Sequence, residues 1–275
     1  MARLQATRTR VEKARPPGLA TGLRSLDEHL GGLHQGVHLL AGAPGAGKTA
    51  LALQIARNVA SDGASVVYLS FDEPSDRLAL KLTTGYGGPV AADYLKGKAD
   101  PADLLKVEQA HHAVLNRIRI HNGPSNLQGE TAGEMLDEAK SSDGAAEGLL
   151  IVDFLQGWAA RQSGSADFRF AVTHLVGQLR EVAINYRVPV LAIIAQDRLL
   201  PGEASLRLPY GASHVESIAD TICLLSDKED AEDASTRRQV ALSCSKNRWG
   251  ALFSQRLLFD TERGAFSEDP GPRLL

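Results

Sequence analysis

The sequence predicts an α/β fold, in which a mainly parallel central sheet is flanked by helices and extended by antiparallel strands toward the C-terminal end. Four short apolar runs do not alternate with polar residues, which is typical of parallel strands buried on both faces. Helical patterns separate these runs, and such alternation builds a parallel sheet covered by helices. The four runs are residues 37–41, 66–69, 149–152 and 188–195.

The spacing of apolar residues predicts the elements between these strands. Leu51, Ile55 and Val59 recur every four residues and predict a helix directly after the first strand. The most regular stripe runs from Val172 to Tyr186 and predicts a long amphipathic helix. Two further helical patterns cover residues 90–96 and 101–117, and the regular stripe belongs to a pattern over residues 170–186. Residues 118–121 predict another strand.

A change of pattern after residue 219 predicts the antiparallel part of the sheet. Residues 221–225, 239–243 and 252–259 read as strands joined by short connections. We therefore expect these strands to extend one edge of the parallel sheet.

Length and composition favour one large domain. The chain has 275 residues, of which 43% are hydrophobic, enough to bury a full core. We assign the domain to residues 18–268 and a tail to residues 269–275. Residues 1–17 contain five basic residues and one acidic residue, a net charge of +4. This segment is expected to be a disordered, solvated arm; an arm that docks on a neighbouring subunit or on nucleic acid is the alternative.

Charge and cysteine content exclude several classes of protein. The net charge of -3 gives no global attraction to nucleic acid, so such binding would need a local basic surface. Two cysteines, Cys223 and Cys244, exclude a disulfide framework and a four-cysteine zinc site. No run reaches the length of a membrane span, and no signal-peptide core is present. The sequence predicts a cytoplasmic protein without a structural metal.

One glycine-rich motif in the sequence indicates a binding site. The octet Gly42-Ala43-Pro44-Gly45-Ala46-Gly47-Lys48-Thr49 fits G-x-x-x-x-G-K-[ST] and lies between a predicted strand and a predicted helix. Its glycines allow backbone N–H groups to surround a phosphate, and the helix dipole favours the negative charge. Lys48 would reach the β- and γ-phosphates, while the hydroxyl of Thr49 would ligate Mg²⁺. The motif predicts a nucleotide phosphate site.

Polar residues at other strand ends supply candidates for the remaining roles. Asp153 follows a buried strand and would help Thr49 hold the metal. Asp72 and Glu73 follow the strand after the phosphate-site helix, and one of them could orient a water at the γ-phosphate. Gln196 ends a fourth strand, where an amide could sense the same phosphate.

A basic turn, residues 246–250, connects two predicted strands. It reads Lys246-Asn247-Arg248-Trp249-Gly250. From the residues alone, a solvated hairpin tip is the favoured interpretation.

These motifs together resemble a known family. The order of motifs resembles the ATPase core of DnaB-type replicative helicases over residues 18–268, and therefore the RecA-like P-loop NTPase fold. The basic turn also resembles the K-N-R-F-G signature of RadA/Sms recombination helicases, and the double acid at residues 72–73 looks like that of KaiC-like proteins. The motifs are Thr21-Gly22-Leu23, Leu26-Asp27, Ser70-Phe71-Asp72-Glu73, Ile151-Val152-Asp153-Phe154-Leu155-Gln156, Gln196 and Lys246-Asn247-Arg248.

The resemblance implies ATP and Mg²⁺ as ligands and a homo-oligomeric ring, most often a hexamer. In that group ATP lies between subunits, so Lys246 and Arg248 would reach the γ-phosphate bound by the neighbouring subunit. The basic turn would then provide an arginine finger.

The resemblance also implies single-stranded DNA in a central pore, held by loops that correspond to residues 197–216. Arg198 and Arg207 would contact DNA phosphates, and Tyr210, Gly211 and Ser213 align with a backbone-gripping loop. The sequence departs from the family here, because Tyr210 stands where a basic residue is expected. Tyr210 could stack on a base or anchor the loop.

Two functions remain after these observations. The first is a DNA-stimulated helicase or translocase core acting in DNA replication or recombination. The second is a KaiC-like regulatory ATPase that acts as a protein-binding switch without moving along DNA. The resemblance does not include the DnaB collar domain or the RadA/Sms zinc finger. The expected protein is therefore either a stand-alone, phage-like or accessory ATPase, or a core that depends on a partner, such as a loader or another replication or recombination protein.

Overall fold

The computed structural model describes residues 18–163, 168–196, 212–227 and 236–269. The predicted arm, residues 1–17, lies outside these ranges, as does the predicted tail from residue 270 onward. The described residues form a nine-stranded sheet in the order β3-β2-β4-β5-β1-β6-β7-β8-β9. The α/β class is therefore confirmed, with a parallel core and antiparallel strands at one side of the sheet.

The strands and helices are numbered in chain order within the described residues. The strands are β1 (Gly36–Gly42), β2 (Ser65–Ser70), β3 (Ile118–Asn122), β4 (Gly148–Asp153), β5 (Pro189–Ala195), β6 (Thr221–Asp227), β7 (Arg237–Asn247), β8 (Phe253–Asp260) and β9 (Ala265–Glu268). The helices are α1 (Arg24–Leu30), α2 (Lys48–Ser61), α3 (Ser75–Thr84), α4 (Ala91–Leu95), α5 (Pro101–Leu115), α6 (Gly129–Asp143), α7 (Leu155–Ser163), α8 (Phe168–Asn185) and α9 (Ala212–Ile218).

Strands β1 to β6 form the parallel part of the sheet, in which β1 lies between β5 and β6. All residues of β1, β2 and β4 are buried, as their continuous apolar sequences predict. Successive side chains of a strand point to opposite faces, so Leu40 and Tyr68 join one core while Leu39 and Val67 join the other. Helices cover both cores. None of the described helices has the length and apolar character needed to cross a bilayer.

The antiparallel part, β6 to β9, is also as predicted, with one additional strand. Strand β9 has four residues and pairs with β8. It was missed by sequence patterns because so short a strand carries little periodicity. Phe266 of β9 stacks on Phe259 of β8, with ring centroids 4.3 Å apart. Both rings lie against Gly47 in the turn that follows β1, so the antiparallel strands support that turn.

Candidate functional site

The candidate phosphate cradle, residues 42–49, is the connection between β1 and α2. Gly45 and Gly47 have φ values of 83° and 97°, in the left-handed region that favours glycine. A Cβ on Gly47 would lie 2.8 Å from the Cζ atom of Phe266, so this position also requires a residue without a side chain. The sequence therefore folds here into a loop whose backbone can approach an anion closely.

Lys48, the first residue of α2, folds back over the cradle. Its Nζ atom donates hydrogen bonds of 2.8 Å to the carbonyl oxygens of Gly42 and of Ala43. Burial lowers the pKa of Lys48, while the charge of Asp153 acts in the opposite direction. The ammonium group is thus placed beside the loop, with carbonyl partners that a phosphate could replace.

Asp153 at the end of β4 lies beside the start of α2. Its Oδ2 atom accepts hydrogen bonds from the hydroxyl of Thr49 at 2.8 Å and from that of Tyr68 at 2.5 Å. The residue is 5% exposed, and burial raises its pKa, whereas the two hydroxyl donors lower it. The structure brings Thr49 and Asp153 together as the sequence predicts. Tyr68 was not predicted, because an aromatic residue inside a buried strand reads as core.

The two acids after β2 differ in their surroundings. The backbone N–H of Phe71 donates to the carbonyl of Asp153 at 2.6 Å, which ties the ends of β2 and β4 together. Asp72 consequently lines the same cavity as Lys48, and its charge contributes to the raised pKa of Asp153. Glu73 instead accepts a 2.5 Å hydrogen bond from Lys81 on α3.

A cavity of about 840 Å³ opens beside the cradle. Both parts of the sheet contribute to it, and its lining includes Lys48, Thr49, Asp72, Asp153 and Arg238. Arg238 of β7 donates to the carbonyl of Gly45, and its guanidinium carbon lies 5.2 Å from the ring centre of Phe259. Sequence reasoning missed Arg238, since nothing local signals a contact with a loop far away in the chain.

Gln196 is tied to the cradle through its backbone. Its N–H donates to the carbonyl of Gly42 at 3.0 Å. The preceding residue, Ala195, exchanges two hydrogen bonds with the side chain of Gln156. The end of β5 is therefore fixed beside the cradle, and Gln196 stands at the predicted position next to it.

The basic turn, residues 246–250, lies at the β7–β8 connection. Lys246 donates to the carbonyls of Glu216 and Ser217 at the end of α9. Arg248 forms an ion pair of 3.1 Å with Asp220, whose side chain is 1% exposed. Neither cation lines the cavity within the described part of the same chain.

Asp220 was not predicted as a site residue, although it organises this region. Its Oδ2 atom accepts a hydrogen bond from the backbone N–H of Val37 at 2.9 Å and also forms an ion pair with Arg180 of α8. The backbone N–H of Arg248 donates to the carbonyl of Asp220 at 2.9 Å. A buried acid therefore fixes the start of the basic turn against β1.

The predicted nucleic-acid contacts fall largely outside the described residues. Arg198, Arg207, Tyr210 and Gly211 all lie in the gap between residues 196 and 212. Ser213 lies in α9, but its side chain is outside the part of the chain that the structure describes. These five assignments remain predictions.

The residues present fit a magnesium nucleotide better than a metal held by protein alone. Across the described ranges there is no group of three or more His, Cys, Asp or Glu residues arranged to hold a metal. One hydroxyl and one carboxylate, Thr49 and Asp153, meet beside the cradle. Mg²⁺ commonly uses one or two carboxylates together with substrate phosphates, and this donor set matches that pattern.

Comparison with known proteins gives a consistent result. The family model described as "DnaB-like helicase C terminal domain" matches residues 18–268. A probable plasmid replicative DNA helicase of Chlamydia psittaci is 24% identical over 91% of this chain and 55% of its own length. The replicative DNA helicase DnaB of Geobacillus stearothermophilus is 24% identical over 90% of this chain and 56% of its own. The chain thus spans about half the length of these relatives.

Solved structures agree on the fold. One solved ATPase domain superposes with a TM-score of 0.83 at 21% identity, covering 97% of each chain. A DnaB-like replicative helicase gives a TM-score of 0.78 at 21% identity, covering 96% of this chain and 65% of its own. A KaiC-like protein of Pyrococcus horikoshii gives a TM-score of 0.62 at 18% identity over 91% of this chain and 98% of its own.

A shorter match concerns the predicted resemblance to RadA. The DNA repair protein RadA of Mycobacterium tuberculosis is 36% identical, over only 34% of this chain and 20% of its own length. The resemblances to DnaB-type helicases, to KaiC-like proteins and to RadA are therefore all confirmed. The similarity to RadA is distant and covers about a third of the chain.

Proposed function

The chain belongs to the DnaB-like helicase C-terminal domain family, and we propose that it is the ATP-hydrolysing core of a ring-forming, single-stranded-DNA-stimulated helicase or translocase. The observation that carries this proposal is the meeting of Lys48, Thr49, Asp72 and Asp153 around one cavity at the end of the parallel sheet. These residue types at these positions are those that bind and hydrolyse a nucleoside triphosphate.

Binding would use the cradle and its lysine. The backbone N–H groups after Gly42 and the N-terminus of α2 favour a polyphosphate. Lys48 would exchange its two carbonyl acceptors for phosphate oxygens, at little cost because the ammonium already lies beside the loop. Thr49 and Asp153 would hold Mg²⁺, which supplies neutralisation of phosphate charge when it is bound.

Hydrolysis requires a base that orients water, and the surroundings favour Asp72 over Glu73. Asp72 lines the cavity, whereas the carboxylate of Glu73 is engaged by Lys81. We assign to Asp72 the role of holding the attacking water and accepting its proton. Gln196, tethered to the carbonyl of Gly42, is assigned as the residue that senses the phosphate beside it.

Lys246 and Arg248 would complete the site of a neighbouring subunit. Both cations lie away from the cavity of their own chain and at an exposed turn, where Trp249 and Leu252 are each 63% exposed. In a head-to-tail ring each turn would face the next cradle, since such interfaces join two different surfaces. Hydrolysis would then depend on a hexameric or similar assembly.

The activity measurement that tests the proposal compares steady-state ATP hydrolysis by the purified protein with and without single-stranded DNA. Lys48→Ala provides the blank, because it removes the cation that contacts the phosphates. We expect DNA to stimulate hydrolysis by the unchanged protein and no hydrolysis by the blank. Activity that survives in Lys48→Ala would refute the assignment of the cradle as the active site.

The KaiC-like regulatory switch is the second candidate, favoured by the net charge of -3 over the whole chain. Salt dependence separates the two. If Arg198 and Arg207 contact DNA phosphates, binding of an oligonucleotide should weaken steeply between about 50 and 200 mM salt, because neutralised phosphates release counterions, by on the order of tenfold or more. Hydrolysis without stimulation by DNA, together with no salt-sensitive binding, would favour the switch.

A further inference from the structure

Tyr68 is a buried tyrosine of β2 whose hydroxyl reaches the candidate metal site. The residue is 0% exposed and lies behind Asp153 rather than in the wall of the cavity. A phenylalanine would fill the same space in the core, whereas a buried hydroxyl is costly unless it forms a hydrogen bond. The Oη atom of Tyr68 donates that bond to Oδ2 of Asp153 at 2.5 Å. The contact with Asp153 therefore accounts for the polar end of this side chain.

The register of the parallel strands explains why the contact forms. Strands β2 and β4 are neighbours in the sheet, and Tyr68 lies opposite Ile151. Ile151 and Asp153 are two residues apart, so they share a face of β4, and Ile151 packs in the same core as Tyr68. Two residues of a strand span about 6.6 Å. The long side chain of Tyr68 covers this distance and brings its hydroxyl to the end of β4.

Two hydroxyl groups from different elements hold the carboxylate of Asp153. Thr49, at the start of α2, donates to the same Oδ2 atom at 2.8 Å. In the proposed function Thr49 is itself a ligand of Mg²⁺ and belongs to the helix that carries the cradle. Tyr68 is anchored in a buried strand and has no such second task. Its hydrogen bond can therefore keep Asp153 in place independently of what Thr49 binds.

The orientation of Asp153 needs this support because charged groups stand close to it. Asp72 and Lys48 line the same cavity, and the charge of Asp72 repels the carboxylate while that of Lys48 attracts it. A carboxylate that turned toward the lysine would leave its place beside Thr49. Hydrogen bonds from outside a metal site fix the orientation of the ligands, and losing one typically costs about 10–100-fold in metal affinity.

We propose that Tyr68 is a positioning residue for Mg²⁺, because its hydroxyl fixes the carboxylate of Asp153 in the orientation that holds the metal of a bound metal–nucleotide complex. This inference rests on the proposed function, since it uses the same pair, Thr49 and Asp153. Tyr68 is buried behind Asp153, so it acts through that residue and not by contact with phosphate. Loss of its hydroxyl should weaken the part of nucleotide binding that depends on the metal.

The experiment measures binding of β,γ-imido-ATP, which is not hydrolysed, by calorimetry in excess Mg²⁺ and in EDTA. The ratio of the two affinities is the gain from the metal. Tyr68→Phe removes the hydroxyl and keeps the ring that fills the core. We expect it to reduce the gain about tenfold, with the affinity in EDTA within about twofold of that of the unchanged protein. Asp153→Asn sets the scale, because it removes the charge of the carboxylate itself, and should reduce the gain at least as much.

Tyr86→Phe is the matched control. The hydroxyl of Tyr86 is also buried but has no hydrogen-bond partner among the described residues. Its ring stacks on His111, with the ring centroids 4.2 Å apart, and the substitution keeps that ring. Both affinities should stay as they are in the unchanged protein. Thermal unfolding of the two phenylalanine variants checks that each of them folds.

Two results would overturn the inference and leave the proposed function intact. Equal losses in Mg²⁺ and in EDTA would show that Tyr68 supports the structure of the cradle in general. An unchanged gain in Tyr68→Phe, together with a lost gain in Asp153→Asn, would show that Asp153 is oriented without Tyr68. Failure of the proposed function looks different, because the unchanged protein would then bind the analogue in neither condition, or Lys48→Ala would bind it equally well.

Discussion

The phosphate cradle and the basic turn are both loops at sheet ends, but their charges are satisfied differently. In the cradle, Lys48, Thr49 and Asp153 meet one another within a single chain, at the ends of the parallel strands. In the basic turn, Lys246 and Arg248 contact carbonyls and Asp220 at an exposed connection between antiparallel strands.

This difference separates binding from turnover. In the proposed function, the groups that would bind the phosphates and Mg²⁺ of a nucleotide all come from one chain, at the cradle. The basic turn presents two cations and an exposed Trp249 away from the cavity of its own chain. We infer that binding is a property of the subunit and that hydrolysis is a property of the assembly.

The largest expected effect comes from removing both cations of the basic turn. The double substitution Lys246→Ala and Arg248→Ala should lower turnover by on the order of 10³-fold, because charge stabilisation in the transition state is lost. Nucleotide affinity should stay within about twofold, since the cradle is unchanged. Arg24→Ala with Lys106→Ala, both on exposed helix surfaces, is the control for loss of two positive charges.

Mixing of subunits sharpens the same comparison. The basic-turn variant keeps an intact cradle, and Lys48→Ala keeps an intact basic turn. With random mixing at one to one, about a quarter of the contacts in a ring would pair an intact cradle with an intact turn. Hydrolysis should therefore partly return on mixing two inactive proteins. Two proteins that remain inactive when mixed, despite forming mixed rings, would argue against action between subunits.

A second, smaller effect tests which of the two acids, Asp72 or Glu73, acts as the base in hydrolysis. Asp72→Asn should reduce the hydrolysis rate by about 10²-fold or more, because it removes the proposed base from the cavity. Glu73→Gln should change the rate by less than about threefold, since its contact is with Lys81 on α3. Single-turnover rates at saturating ATP make the comparison, and the reverse order would reassign the base to Glu73.

The smallest effect concerns stability at the cradle. Burial raises the pKa of Asp153, so its ionised form opposes folding at neutral pH, while Asn can still accept from Thr49 and Tyr68. Asp153→Asn should raise Tm at pH 7 by about 2–4 °C, the shift for a stabilisation of about 1 kcal/mol. The gain should vanish below about pH 4, where aspartate is protonated in both states, and grow as pH rises toward the raised pKa.

Asp143 provides the opposite control. Hydrogen bonds from Arg119 lower its pKa, so its ionised form stabilises the folded state above the ordinary aspartate pKa. That contribution is lost as pH falls through the lowered pKa. Asp143→Asn should consequently lower Tm at pH 7. Equal shifts in the same direction for both variants would contradict the role assigned to burial at Asp153.

The sequence predicted the regular part of the fold well, and the reasons are local. Continuous apolar runs located β1, β2, β4 and β5, and helical spacing located α2 and α8. The β9 strand escaped prediction, because its four residues are too few to show a period. The same holds for the site. Acids at strand ends, such as Asp72 and Asp153, could be predicted from the local sequence. Tyr68 and Arg238 could not, because they reach the site only through contacts with residues distant in sequence.

By itself, the sequence determined that a glycine-rich loop precedes a helix bearing Lys48 and Thr49, because the motif encodes its own backbone geometry. It also placed acids at the ends of buried strands. Only the tertiary structure decided that Asp72 faces the cavity while Glu73 pairs with Lys81. It alone identified Asp220 as the anchor of the basic turn. Those roles depend on burial and on partners from other elements, which no local pattern specifies.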